Sequence, residues 1–369
     1  MKINFNELKR GYEKYKSEYD KAAIDVLESG WYILGENVKR FENNFANFIG
    51  SSYCVGVNSG LDALILAVRA LNLGEGDEII VPANTYIATV LGITENDATP
   101  VFIEPDEYYN IDTDKIEAKI TGKTKAIMAV HLYGQAANMN KIKSIATKYS
   151  LYLLEDCAQS HGAKFENQTT GTFGDIGCFS FYPTKNLGAF GDGGAIVTDN
   201  KEIAEKVKML RNYGSQKKYY NEIEGVNSRL DEIQATLLNV KLSHYGELRK
   251  EREKIALKYL NEINNPKIIL PRIRKGSDHV WHLFVVQTEE RDKLQNYLQE
   301  NGIGTQIHYP IPPHLSNAYK HFGYKKGDFP ITEEMANKVL SLPIYDGMTD
   351  EEVDYVIRVI NNYKDLFSK

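Results

Sequence analysis

Between residues 53 and 200 this chain alternates short apolar runs with stretches of helical spacing, and that alternation limits its folds more than any other feature. The runs fall at 53–57, 78–81, 101–103, 125–130, 151–154, 178–181 and 195–198, with helical stretches such as 62–73 and Met139–Lys148 between them. Strands that alternate with helices need crossover connections, which set the strands parallel and put helices on both faces of the sheet. The pattern therefore predicts an α/β fold with a mainly parallel central sheet flanked by helices. Ligands in such sheets sit beyond the carboxyl ends of the strands, so the residues that end each run are the first candidates for chemistry.

The flanks add a second unit. Over 8–29, Tyr12, Tyr15, Tyr19, Ala22, Ala23 and Val26 recur every three or four residues, which predicts an amphipathic helix stopped by Gly30. An aromatic stretch, Trp31-Tyr32-Ile33-Leu34, follows between Gly30 and Gly35. From 202 to 265 the chain reads as charged and helical, with a break around 212–225; Pro266 and Pro271 then punctuate it. Beyond them 281–287 and 303–309 read as strands, and 289–300, 332–341 and 349–366 as helices. The expected division is an N-terminal segment plus large domain over 1–250 and a small α/β domain over 251–369, in keeping with about two domains for 369 residues.

Charge narrows the function. Forty-four Lys and Arg against 50 Asp and Glu leave a net charge of −6, which argues against nucleic acid as a partner. No apolar run approaches the roughly 20 residues of a membrane span, and the first residues lack a leader's apolar core. Cys54, Cys157 and Cys178 are odd in number and scattered, so neither a disulfide framework nor a metal knuckle is expected. The expectation is a cytoplasmic protein with no metal and three buried thiols.

The run 151–154 leads into Glu155-Asp156-Cys157-Ala158-Gln159, which sets Asp156 at the sheet's carboxyl edge. Twenty-nine residues later Lys185 stands between the run containing Ser180 and a glycine-rich turn, Gly188 to Gly194. A lysine in a close-walled pocket loses charge through desolvation, and its free amine attacks carbonyls. With an acid to keep a pyridine nitrogen protonated, these two residues are the minimal kit for pyridoxal 5′-phosphate; a structural Asp–Lys ion pair uses the same two residues. Val57-Asn58-Ser59-Gly60-Leu61 leaves a strand and opens a helix, whose first amides bind phosphate; a plain helix cap reads the same way. Ser180 adds a candidate hydroxyl. Tyr86, after the run 78–81, is a candidate to lie on the cofactor or to pack in the core.

With those residues in place the chain resembles the DegT/DnrJ/StrS-type aminotransferases, pyridoxal-phosphate enzymes of the aspartate aminotransferase fold (fold type I) that aminate nucleotide-linked keto sugars. The resemblance runs from about residue 3 to 365. It is most specific at Glu155–Gln159, at Gly174-Asp175-Ile176-Gly177-Cys178-Phe179-Ser180-Phe181-Tyr182-Pro183-Thr184-Lys185, and at Gly225-Val226-Asn227-Ser228-Arg229-Leu230-Asp231-Glu232. It implies that Lys185 is the Schiff-base lysine, Asp156 the partner of the pyridine nitrogen, Gln159 a contact near the phenolic oxygen and Tyr86 the stacking ring. It implies Gly60, Leu61 and Ser180 as phosphate ligands; many relatives carry Thr where Leu61 stands, so here that residue offers its amide without a hydroxyl. Asn227 is implied to reach the neighbouring subunit's cofactor, and hence a homodimer with shared active sites.

Two stretches, Trp281-His282-Leu283-Phe284-Val285 and His308-Tyr309-Pro310 with its neighbours, resemble the branch that aminates C-3 of dTDP-linked 3-keto-6-deoxyhexoses, with L-glutamate as the implied donor. The implied product is a dTDP-3-amino-3,6-dideoxyhexose, leaning to gluco over galacto at C-4. Tyr182, Arg229, His308 and Tyr309 become candidate sugar or diphosphate contacts, and Tyr32 with its neighbours a candidate nucleotide wall; Trp31 and His282 read equally as packing. The competing readings are a C-4 aminotransferase and a non-catalytic nucleotide-sugar regulator. A dehydratase of this fold carries His where Lys185 stands.

Overall fold

The computed structural model describes residues 1–364. Its centre is a seven-stranded sheet of β1 (Tyr53–Val57), β2 (Glu78–Pro82), β3 (Thr99–Ile103), β4 (Thr124–Val130), β5 (Tyr152–Asp156), β6 (Ile176–Ser180) and β7 (Gly194–Thr198), in the spatial order β1-β7-β6-β5-β4-β2-β3. Strands β2 to β6 pair in parallel, whereas β7 runs antiparallel to both of its neighbours. All seven predicted runs are strands. They were legible because both faces of each strand are buried. Val55, Val81, Met128, Leu154 and Ile196 enter one core with the helix Gly60–Ala70; Ile80, Ile127, Ala129, Leu153, Phe179, Ala195 and Val197 face cores on the other side.

A second core gathers Ile255 and Tyr259 of the long helix Tyr245–Glu262 with Trp281, Phe284, Leu294, Leu340, Val356 and Ile360. Its sheet pairs β8 (Phe284–Gln287) with β9 (Val339–Leu342), antiparallel. Four expectations need correction here. The 8–29 helix breaks at Tyr15 into Leu8–Lys14 and Lys16–Ser29, although Gly30 does end it in the left-handed region at φ 66°. The strand expected over 281–287 starts at Phe284, because Trp281 has a positive φ of 52°. The strand expected over 303–309 forms just single bridges, Ile3 with Ile303 and Gln306 with Ser341. The helix expected over 332–341 is Pro330–Lys338, and its apolar tail is β9: a short apolar run fits either period. The last helix is Asp350–Asn361, closed at its start by a capping box between Thr349 and Glu352; residues 365 and 366 of the expected span lie outside the described residues. No helix of the described residues is long and apolar enough to cross a membrane.

Candidate active site

The carboxyl ends of β1, β5 and β6 meet the start of β7, since Val57 and Ser180 both pair with Gly194 and Asp156 pairs with Cys178. Asp156 is buried there. Its Oδ2 accepts from Thr89 Oγ at 2.7 Å and its Oδ1 from the Ala158 amide at 3.1 Å. Thr89 sits in the first turn of the helix Ile87–Thr94 and bonds Thr85 at 2.6 Å, so a hydroxyl chain orients the carboxylate. Thr89 carried no sequence signal, because nothing local marks a helical threonine whose acceptor lies 67 residues away.

Lys185 lies in the loop between β6 and β7, its amide donating to the Tyr182 carbonyl at 2.8 Å. Its Nζ makes no hydrogen bond or ion pair among the described residues, and Asp156 is already held by Thr89 and Ala158. The structural ion-pair reading therefore fails. Burial lowers the Lys185 amine to about 8, with Asp156 the opposing influence that keeps it from falling further. About one amine in ten is then unprotonated at pH 7, against fewer than one in a thousand for an ordinary lysine. The chain freed of cofactor should accordingly recapture pyridoxal phosphate about ten times faster per pH unit up to pH 8 and level off above it. Stopped-flow absorbance checks this, and a rise continuing towards pH 10 would contradict the burial argument.

The helix Gly60–Ala70 starts beside this pair. Ser59 caps it, its hydroxyl accepting from the Asp62 amide at 3.0 Å, which leaves the Gly60 and Leu61 amides directed off the helix end. Glycine is required at 60, since a Cβ there would stand 2.4 Å from Ser180 Cβ and 2.9 Å from its Oγ. The helix end and the Ser180 hydroxyl thus share one small cradle. Ser228 closes its rim, accepting from the Asn58 amide and donating to Asp62. Amides at a helix end, a hydroxyl, a free amine and an anchored carboxylate are the donor set that a phosphorylated pyridine aldehyde requires, so the residues present fit pyridoxal phosphate.

Above them, Gln159 donates to Tyr309 Oη at 3.0 Å and accepts from the Tyr133 amide at 2.6 Å. The half-exposed ring of Tyr86 lies 5.1 Å from that of Tyr309, tilted by 34°. Tyr133 Oη donates to the His308 carbonyl, and His308 Nδ1 pairs with Ser341 Oγ at 2.8 Å. Burial first, then the Lys185 charge, brings His308 down to about 4, so it is neutral near pH 7. Asp156, Gln159, Lys185, Ser180, Gly60, Leu61, Tyr86, His308 and Tyr309 therefore assemble around one edge of the sheet.

Other predicted residues lie outside that group. Arg229 donates to Asn212 Oδ1 at 3.1 Å, lies over the Tyr213 ring at 5.6 Å, and keeps a buried Nε without a partner among the described residues. Asn227 is exposed on the same segment, bridged to Asn212. Tyr32 and Trp31 project from the surface, their polar atoms donating to the Leu27 and Ile33 carbonyls. Buried Glu232 anchors that stretch by accepting from the Gly35, Asn37 and Val38 amides. Tyr182 is half exposed, two residues past Ser180.

All three cysteines are buried and free. One of them, Cys157, lies within 4.8 Å of ligand atoms of His131 and Glu155. Each Glu155 oxygen already accepts two hydrogen bonds, from the Phe173 and Gly174 amides and from the Gly171 amide and His131 Nε2. That cluster is a closed polar network.

The comparisons with known proteins agree on the cofactor. Residues 13–361 match the DegT/DnrJ/EryC1/StrS aminotransferase family. The chain is 53% identical over 362 residues to the dTDP-3-amino-3,6-dideoxy-alpha-D-galactopyranose transaminase of Aneurinibacillus thermoaerophilus, covering 98% of this chain and 99% of that one. It is 46% identical to the dTDP-3-amino-3,4,6-trideoxy-alpha-D-glucose transaminase of Streptomyces venezuelae, over 93% and 91% of the two chains. Among solved structures, S. venezuelae DesV in complex with a ketimine intermediate superposes with a TM-score of 0.96 at 44% identity, covering 98% of each chain.

Proposed function

The chain belongs to the DegT/DnrJ/EryC1/StrS aminotransferase family, and from that membership we propose that it moves an amino group from L-glutamate to C-3 of a dTDP-linked 3-keto-6-deoxyhexose. It is a pyridoxal-phosphate-dependent sugar aminotransferase. The observation that carries the chemistry is Lys185, a desolvated amine without a structural bond, set beside an Asp156 carboxylate that other groups already hold. When bound, pyridoxal phosphate supplies a ring that withdraws electrons from the carbon being deprotonated.

In this reading Lys185 Nζ would hold the cofactor and, as a free amine, would take the proton from the donor's α-carbon. Asp156 would keep a proton on the ring nitrogen, and Thr89 and the Ala158 amide keep the Asp156 carboxylate aimed. The amides of Gly60 and Leu61 with the Ser180 hydroxyl would hold the phosphate, Tyr86 would lie against the ring and Gln159 would bond near its phenolic oxygen. His308 and Tyr309, fixed by Ser341 and Gln159, face the sugar, and Tyr182, Tyr32 and Arg229 serve its nucleotide diphosphate. Arg229 suits that role through a planar fork whose Nε lacks a partner among the described residues. The homodimer of this proposal draws support from the exposed rings of Trp31, Tyr32, Tyr86, Tyr182, Phe190 and Tyr213, and Asn227, also exposed, is the residue proposed to reach the neighbouring cofactor.

Regiochemistry at C-3 draws support from the two curated relatives, both named for 3-amino sugars. At C-4 the leaning to gluco rests on no single residue. The 53% identical relative is named for a galacto product, so we take dTDP-3-amino-3,6-dideoxygalactose as the proposed product. Product analysis tests this: incubation with L-glutamate and dTDP-6-deoxyhexoses bearing the ketone at C-3 or C-4 should aminate the 3-keto sugar alone. Proton couplings then report the configuration at C-4. Amination of the 4-keto sugar alone would retain Lys185 chemistry and refute the C-3 assignment.

A further inference from the structure

The residue after Lys185 is tied to the second core by a short set of bonds that the proposed chemistry does not use. Asn186 is 2% exposed. Its Nδ2 donates to the Val280 carbonyl at 2.6 Å, and its Oδ1 faces His282 Nδ1 at 3.2 Å. Because the Asn186 oxygen can only accept, the hydrogen-bond pattern assigns the proton of the buried His282 imidazole to Nδ1.

The backbone that presents His282 is strained. Trp281, between Val280 and His282, adopts φ 52°, a left-handed conformation that a bulky side chain rarely takes. Three contacts hold it there. Its amide donates to His279 Nδ1 at 3.0 Å, its carbonyl accepts from the buried Arg252 at 3.3 Å, and its ring stacks on His279 with centroids 3.9 Å apart. The ring itself is buried in the second core. The kink sends Trp281 into that core and His282 to the Lys185 loop. Trp281 and His282 sit at the seam between the two cores, where the Val280 and Leu283 amides also donate to the Gly134 and Tyr133 carbonyls.

We propose that His282 is a positioning residue for Lys185: its Nδ1–H fastens Asn186, and with it the Lys185 loop, to the second core. The inference rests on the reading that Lys185 carries the reacting amine. On the sheet side the loop is held by its own turn, the Lys185 amide on Tyr182 and the Ala189 amide on Phe181. Asn186 supplies the anchor on the far side, so the lysine is fixed between the two cores. Burial, joined by the charges of Lys185 and Arg252, holds His282 well below the usual imidazole range. The neutral imidazole therefore positions without adding a second cation beside the amine.

Holoenzyme carrying His282→Leu, His282→Asn, Asn186→Ala and the His282→Leu/Asn186→Ala pair tests this through kcat, KM and the pH midpoint of the cofactor's visible absorption band. A loosened amine should lower kcat by ~10–100-fold with KM for the donor within about 2-fold, and move the band's midpoint by about half a pH unit or more. Asn places a side-chain N–H where His Nδ1–H stands, so His282→Asn should restore both readouts. The double variant should be no worse than the worse single one, because both remove the same bond. Wild-type kcat and midpoint in His282→Leu, with lowered thermal stability alone, would overturn the proposal; so would effects that multiply in the double variant. If His282→Leu does not fold, Asn186→Ala decides by the same two readouts. Should the wild-type protein aminate no sugar, the function is wrong, and the band's midpoint still tests the positioning.

Discussion

Replacing Lys185 by Ala lowers turnover by at least about 10⁴-fold, the upper range for removing a positioned acid–base group, while leaving the fold intact. Both halves of that expectation come from the same geometry. Nζ bonds nothing among the described residues, so its removal leaves no orphaned partner, and Asp156 retains Thr89 and the Ala158 amide. The Lys185 amide still holds the Tyr182 carbonyl. The thermal midpoint without cofactor should therefore stay near wild type, or rise, since a desolvated amine is a cost to the folded state. Lys185→Arg separates charge from chemistry. A guanidinium keeps the positive charge but gives up no proton below pH 12, so it should be as inactive as Ala. Turnover by either variant at the wild-type rate would end the assignment of Lys185, whatever the sugar proves to be.

How far that assignment could be read from sequence depends on which bonds are local. Asp156 and Lys185 were legible because each ends or follows an apolar run, and Gly60 because it stands where a strand run gives way to a helix. What sequence left open was whether Asp156 and Lys185 pair with each other. That was settled by Thr89, which reaches Asp156 across 67 residues. The strands of the central sheet were legible because their side chains are buried alternately on both faces. The irregular second unit was less so: Val339–Leu342 continues a helical pattern without a break, and 303–309 has strand composition but finds just isolated bridges to pair with. His282 stood as packing or function. Its neighbour Trp281 packs in the second core, and the positive φ there that sends His282 elsewhere leaves no trace in residue type.

The second large effect falls on stability, at the residue beside Asp156. Glu155→Gln should cost about 3 kcal/mol or more, in the range for breaking a buried charge network and above that for one neutral hydrogen bond. Glu155 is completely buried, and both its oxygens accept twice: from Phe173 N at 2.7 Å and Gly174 N at 3.0 Å, and from Gly171 N at 2.8 Å and His131 Nε2 at 3.0 Å. His131 is fixed in turn, because the Ala137 amide donates to its Nδ1 at 3.1 Å and so sets the proton on Nε2. All four groups facing Glu155 are donors. A glutamine must turn its NH₂ towards two of them, leaving those donors unsatisfied in a site that water does not reach. Two adjacent carboxylates, Glu155 and Asp156, thus divide the labour, one gathering the loop 171–174 and His131, the other free for the cofactor role proposed for it. Urea unfolding of the cofactor-free protein measures the loss, and the surviving folded holoenzyme should still turn over because Thr89 and Ala158 hold Asp156 independently. A loss below about 1 kcal/mol would mean that the network is not closed as described. Full stability with abolished turnover would instead move Glu155 into the chemistry.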